Sequence, residues 1–284
     1  MERIRQEGSK QRKMRVYANG EFDLYLYRKR PHLTYSQAKI KNTKSQLSKL
    51  EMKRLTEAIN DGIECGFIES SERHFIIAES LGLTIEEYIE KRSKIRKSNL
   101  NRAKNNIIEL IRNNFSFGDS FVTLTFKDKQ GYDWTDWDTC VYEIDKYFKR
   151  LKYKYGKEIK YICIPELQKE NGRNAWHYHI LINLKYGSFD FREFNPIWGH
   201  GYVTVKEITS TGGLGWYLSA YLTECLEDIP QNKKTYFASR NLTRPIIIED
   251  QGQIEEILAD TQLSVAYNKS VETDYVSCEY VEFR

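Results

Sequence analysis

The run Trp176-His177-Tyr178-His179-Ile180-Leu181-Ile182 restricts this chain more than any other stretch. It is rich in β-branched and aromatic residues and so reads as a strand. Side chains on a strand alternate between faces, which puts His177 and His179 on one face, about 7 Å apart along the backbone. Two imidazoles so placed are either half of a metal site or a pair that only hydrogen-bonds within a sheet.

The surrounding pattern says what kind of sheet holds that strand. Phe121-Val122-Thr123-Leu124-Thr125-Phe126 alternates, with Phe121, Thr123 and Thr125 on one side and Val122, Leu124 and Phe126 on the other. Trp137, Val141, Ile144, Phe148 and Leu151 recur at helical spacing and form a core stripe, and Gly156 ends that helix. Strands follow at Lys160–Leu167 and Trp176–Leu184, joined by a turn over Gln168–Ala175. A short helix falls in Phe189–Ile197, and Tyr202–Ile208 is a fourth strand. Gly212-Gly213 then breaks the chain before a helix running to about Glu227. Strand, helix, strand, strand, short helix, strand, helix is the split βαβ, ferredoxin-like order around an antiparallel sheet, an α+β fold.

Upstream, Met14 to Arg28 alternates around Asn19-Gly20, the strongest short hairpin signal. Short helices are expected near Ser36–Lys41, Leu50–Asp61 and Glu72–Ser80. Thr84-Ile85-Glu86-Glu87 is a capping box that starts another, with a break expected at Ser98-Asn99. These signals divide the chain into a hairpin-plus-helical region over 1–113, an α+β domain over 114–250 that holds the histidine strand, and a C-terminal extension over 251–284 that packs on the core.

Composition narrows the partners. The net charge of +4 is modest, but its distribution is uneven. Lys91, Arg92, Lys94, Arg96, Lys97, Arg102, Lys104 and Arg112 stand against only Glu109. A second block carries Lys146, Lys149, Arg150, Lys152, Lys154, Lys157 and Lys160. Such clustering suits a polyphosphate partner. No stretch approaches the roughly 20 apolar residues of a membrane span, and the N-terminus lacks an apolar signal core, so a cytoplasmic protein is expected. Five scattered cysteines without a CxxC fit a reducing compartment and argue against a zinc knuckle.

Chemistry gathers around the histidines. The preceding strand ends in Glu166, which antiparallel pairing brings beside them if the register puts its side chain on their face. Two imidazoles and a carboxylate suit a divalent ion and leave coordination positions for a substrate oxygen. In the helix after Gly213, Tyr217 and Tyr221 lie four residues apart on one face, roughly 5–6 Å apart at Cβ. With Glu224 and Asp228 they form a polar face beside the stripe Leu214, Leu218, Leu222 and Leu226. A phenol titrates near 10 and attacks poorly at pH 7, unless a metal polarises the phosphate and a base takes its proton. The chemistry implied is transesterification of a phosphodiester through phosphotyrosine.

FVTLTF, WHYHILIN and YLSAYLTE, in that order, resemble the three motifs of rolling-circle replication initiators of the HUH endonuclease superfamily, closest to the two-tyrosine replication proteins of small phages and plasmids. The likeness covers about Phe115 to Pro245. It includes the Trp198-Gly199-His200-Gly201 turn and the Tyr236-Phe237-Ala238-Ser239-Arg240 segment. It implies that His177, His179 and Glu166 hold Mg²⁺ or Mn²⁺. It further implies that Tyr217 or Tyr221 attacks single-stranded DNA at a replication origin, keeping the 5′ phosphate and releasing a 3′ hydroxyl primer. Family members commonly carry a lysine three residues after a tyrosine. Here those positions are Ala220 and Glu224, which leaves phosphate neutralisation to Lys206 or Lys234, or a weaker activity.

DNA contacts are expected at Lys206, Lys233, Lys234, Tyr236 and Arg240, with a further basic-aromatic stretch at Lys152-Tyr153-Lys154-Tyr155. No Walker-type loop occurs, so a helicase would have to be recruited. The competing reading is a non-catalytic DNA- or RNA-binding protein on the same scaffold.

Overall fold

A computed structural model describes residues 10–29, 49–128, 131–169, 174–209, 228–230, 233–272 and 276–284. The expected helix near Ser36–Lys41 and the tyrosine-bearing helix, including Tyr217 and Tyr221, lie outside the described residues.

The elements, in chain order, are β1 (Lys10–Val16), β2 (Phe22–Lys29), α1 (Lys49–Glu64), α2 (Arg73–Ser80), α3 (Ile85–Asn114), β3 (Asp119–Phe126), α4 (Trp137–Tyr155), β4 (Tyr161–Gln168) and β5 (Ala175–Lys185). They continue as α5 (Phe194–Trp198), β6 (Gly201–Glu207), β7 (Phe237–Ala238), β8 (Ile246–Ile248), α6 (Gln251–Asp260), β9 (Val265–Glu272) and β10 (Val276–Phe283). The fold is mixed α+β, with two five-stranded sheets.

The chain forms two compact units. One comprises residues 1–10, 28–99 and 271–277, and the other 11–27, 100–270 and 278–284. The first has its own apolar cluster of Ile59, Ile77, Ala78 and Tyr88, with Met52, Leu55 and Leu83 against it. The capping box closes as expected: Glu87 N–H donates to Thr84 Oγ1 at 3.2 Å and Thr84 N–H to the Glu87 carboxylate at 3.0 Å. No break occurs at Ser98-Asn99, because α3 runs unbroken for 30 residues.

In the second unit, one sheet has the order β8-β1-β2-β10-β9. Its hairpin turns where expected, with Gly20 at φ 88° and the Tyr17 N–H donating to the Glu21 carbonyl. Met14, Phe22, Leu24, Ile254 and Val281 form the core between this sheet and α6. The C-terminal strands are a finding the sequence did not disclose: β9 is exposed along its whole length, so it carries no burial alternation to read.

The other sheet has the order β6-β3-β5-β4-β7, with every neighbouring pair antiparallel. Val122, Leu124, Phe126, Tyr178, Ile180 and Ile182 form one buried face, covered by α4 and α5 through Trp137, Ile144, Phe148, Phe194 and Trp198. α4 is an amphipathic helix whose first turn is capped by Asp136, the carboxylate accepting from Thr139 N–H at 2.7 Å. It stops at Gly156, where φ is 96°. On the opposite face, Phe121, Ile162, Ile164 and Leu181 pack against Leu100, Ile107, Leu110 and Ile111 of α3. Helices therefore cover the sheet on both sides. On the α3 side, the apolar residues give way to polar ones towards the ends of the strands where the histidines lie.

One buried ion network departs from the charge pattern. Arg112, counted with a surface basic block, is buried, its guanidinium bonded to Asp23 at 2.8 Å, Glu21 at 3.1 Å and Glu282 at 2.8 Å. The Tyr17 ring lies 3.9 Å from its guanidinium carbon. α3, the hairpin and the last strand are thus tied by one cation.

Candidate functional site

Strand register decides which polar side chains meet. Glu166 on β4 stands directly opposite His177 on β5, and Ile164 opposite His179. On the other side of β5, His177 faces Thr125 and His179 faces Thr123 of β3. Directly opposed residues share a face, so Glu166, His177, His179, Thr123 and Thr125 form one polar patch. Both histidines are buried to 7% exposure, while a quarter of the Glu166 side chain remains open. The sequence left the register of Glu166 open; the ladder brings it to the histidine face.

Glu166 reaches diagonally across the hairpin, and His179 Nε2 lies 2.5 Å from its Oε2. If Nε2–H donates there, Nδ1 is left to accept from the Thr123 hydroxyl, 3.3 Å away. A hydroxyl can also accept, so Thr123 satisfies either tautomer of the ring. Phe121 lies almost parallel to the same imidazole, centroids 5.9 Å apart. The hydrogen bond from His179 holds the Glu166 carboxyl below its usual range; burial opposes this, and the charges of His179 and His177 add to it. A carboxylate is therefore present at neutral pH.

The end of the sheet that carries this patch is held by indoles. Trp198 Nε1–H donates to the Thr125 carbonyl at 3.1 Å, and Trp134 Nε1–H to the Lys127 carbonyl at 2.9 Å. Trp176 Nε1–H donates to the Thr135 carbonyl at 3.0 Å. His200 immediately precedes β6 beside them, its Nε2 2.9 Å from the buried Glu143 carboxylate. These contacts fix the strand ends without adding a group to the patch.

The donor set of His177, His179 and Glu166 is of the kind that suits a divalent cation. Among the described residues, however, no three His, Cys, Asp or Glu side chains already stand where they could hold an ion. Glu166 and His179 present ligating atoms to each other. An ion would separate that pair, and Thr123 would then accept Nδ1–H and orient the ring.

The expected DNA contacts fall in different places. Lys206 is exposed on the same face, but opposite Phe121, farther along β6 than the row of His179. Lys233 pairs with Asp138 at 2.6 Å. Lys234 is exposed, and so is Arg240. Tyr236 is half-buried against the α3-side core, and its hydroxyl accepts from Asn106 Nδ2 at 2.7 Å. Thr123 and Phe121, which touch His179, were legible only as alternating strand residues. The described chain resumes at Asp228, whose carboxylate pairs with Lys169, three residues beyond Glu166.

The matched family now bears on this patch. Residues 119–225 match a family of replication-associated proteins of the ORF2 type. No curated protein and no solved structure matches the chain. The match spans β3 to β6, hence the whole polar patch, and continues through the positions of Tyr217 and Tyr221. It is consistent with a replication protein of the rolling-circle kind and so with DNA as partner. Among the described residues no helix is long and apolar enough to cross a membrane.

Proposed function

We propose that this chain is a rolling-circle replication initiator that nicks single-stranded DNA at an origin and transfers the strand. The observation that carries this reading is the shared face of Glu166, His177 and His179 within the stretch matched to a replication-associated family. The strand order β6-β3-β5-β4, in which β5 lies antiparallel between β3 and β4, supports a ferredoxin-like HUH core.

His177, His179 and Glu166 would hold Mg²⁺ or Mn²⁺, which when bound would polarise the scissile phosphate. Glu166 keeps its negative charge at neutral pH, and Thr123 holds the His179 ring at Nδ1. Tyr217 or Tyr221 would attack phosphorus. The phenol proton passes by way of a base to the departing 3′ oxygen as the P–O3′ bond breaks, which leaves a 3′ hydroxyl primer. The 5′ phosphate stays on the tyrosine. Asp228, seven residues after Tyr221 in sequence, pairs with Lys169 just past the end of β4.

The test is a covalent adduct between the protein and origin-derived single-stranded DNA in Mn²⁺, read by mass spectrometry. The reading expects loss of adduct with EDTA, with His177→Ala/His179→Ala and with Tyr217→Phe/Tyr221→Phe. Salt-sensitive binding without an adduct in Mn²⁺ would instead favour a non-catalytic nucleic-acid-binding protein.

A further inference from the structure

A second feature of the catalytic unit is not used by the reading above. The C-terminal turns of α4 and the segment after β7 enclose an open groove lined by Lys149, Lys152, Tyr153, Lys157, Arg240 and Asn241. Four of those six carry positive charge, and among the described residues no carboxylate lines the groove. Tyr153 is 94% exposed, an aromatic ring held in water between cations.

The groove is built rather than incidental. Its segment is fastened to the start of β4: Ser239 N–H donates to the Tyr161 carbonyl at 2.9 Å, and Tyr161 N–H to Ser239 Oγ at 3.0 Å. Asn241 Nδ2 donates to the Ile159 carbonyl at 3.3 Å. Beside it, the Tyr161 ring stacks on Phe148 with centroids 3.7 Å apart, and Lys152 Nζ lies 5.4 Å from the Tyr161 centroid.

We propose that this groove holds single-stranded DNA outside the nicking site, with Lys149, Lys157 and Arg240 on phosphates and Tyr153 stacked on an unpaired base. The choice of a single strand over a duplex rests on that ring, because base–aromatic stacking needs an unpaired base while cations alone serve either form. From Tyr161 to Glu166 is about 17 Å along β4, and α4 lies on the sheet face opposite the histidines. Residues 233–241 pass along the same edge, where β7 pairs with Ile162 and Cys163, and place Lys234 and Arg240 towards opposite ends. A strand held in the groove would thus be anchored at a distance from the bond that is cut. The identity of the partner rests on the proposed function; the groove's affinity does not depend on cleavage.

The experiment measures binding of labelled deoxythymidine oligomers of about 16 and about 4 nucleotides, in EDTA, across a salt series. Lys149→Ala/Lys157→Ala is expected to lower the log–log salt slope for the long oligomer by about 1.4, two phosphates at about 0.7 each. Tyr153→Ala is expected to weaken the long oligomer about tenfold and leave a duplex unaffected. All three side chains are exposed, so an unchanged melting curve is expected. An unchanged slope overturns the proposal, as does a duplex that loses more than the single strand. Adduct formation on origin-derived single-stranded DNA in Mn²⁺, assayed beside the binding series, separates the two readings. If wild type forms no adduct, the proposed enzyme fails while the EDTA binding data still decide the groove. If wild type and the double variant form it alike but the long-oligomer slope does not move, the groove fails alone.

Discussion

Glu166 and His179 are diagonal neighbours on adjacent antiparallel strands, and their Oε2 and Nε2 atoms meet at 2.5 Å. The contact spans the hairpin near its turn, past the two residues of β4 that β7 pairs with. β7 pairs with Ile162 and Cys163, and Pro165, which has no N–H to offer, lies beyond them. Glu166 is thus the one carboxylate of β4, and it lies past the β7 pairing, towards the β4–β5 turn.

That contact makes metal-free stability depend on pH. The folded Glu166 carboxyl titrates below its unfolded value, which is about 4.3 for an ordinary glutamate. Its contribution is therefore complete above that value and is lost as pH falls through the lower folded value. In EDTA, wild type should exceed Glu166→Gln in urea midpoint at pH 6, and the gap should be smaller at an acidic pH below the ordinary glutamate value of about 4.3. An equal gap at both values would show that the ionised carboxylate adds nothing.

The strands around the site were legible because each carries a clear period. Val122, Leu124 and Phe126 alternate with Thr123 and Thr125, and that alternation predicts the two faces seen. What remained open was pairing across chain distance. Glu166 could be placed beside the histidines only conditionally, since a slip of one residue would have turned it to the other face. Charge was harder still. Arg112 looks like one more cation of a basic helix, and only the fold reveals the three carboxylates around it. Thr123 gave no signal beyond its strand position, because its role arises from a partner 56 residues away.

Arg112 should therefore behave as a structural residue and not as a DNA contact. Arg112→Ala takes from the buried Asp23 and Glu282 the cation they share, leaving Arg15 at 3.7 Å from one and Arg284 at 2.9 Å from the other, an expected loss of about 3 kcal/mol by urea unfolding. Adding Asp23→Asn should recover part of it by removing one stranded charge. A surface-like loss below about 0.5 kcal/mol would contradict the network.

Thiol chemistry should separate the cysteines. Cys65 is exposed and should react quickly with iodoacetamide. Burial pushes the Cys140 thiol up to about 12, with the charges of Asp136 and Asp133 adding to the shift, and drives that of Cys163 well above its ordinary value. Near pH 8.5, where a free thiol is about half ionised, both should stay protonated and unmodified until the protein unfolds. Peptide mass spectrometry reads this directly; early labelling of Cys163 would mean that the sheet opens under native conditions.

Among the described residues, Gly201 should be the glycine least tolerant of a side chain. A Cβ there would lie against the Thr125 carbonyl oxygen, 2.5 Å from Lys127 N and 2.8 Å from Phe126 C. All are backbone atoms and cannot rotate away, so the end of the β3–β6 ladder would have to part. Thr125 faces His177 on its other side, so the displacement reaches the polar patch. Gly201→Ala is expected to cost about 3 kcal/mol and to lower adduct yield. Gly62→Ala is the control: its Cβ would meet the movable end of Ile68, Cδ1 at 2.6 Å, and a helix gains up to about 1 kcal/mol from the change. Its melting temperature should stay near wild type, and a Gly201→Ala protein that melts with it would refute the close backbone approach at β6.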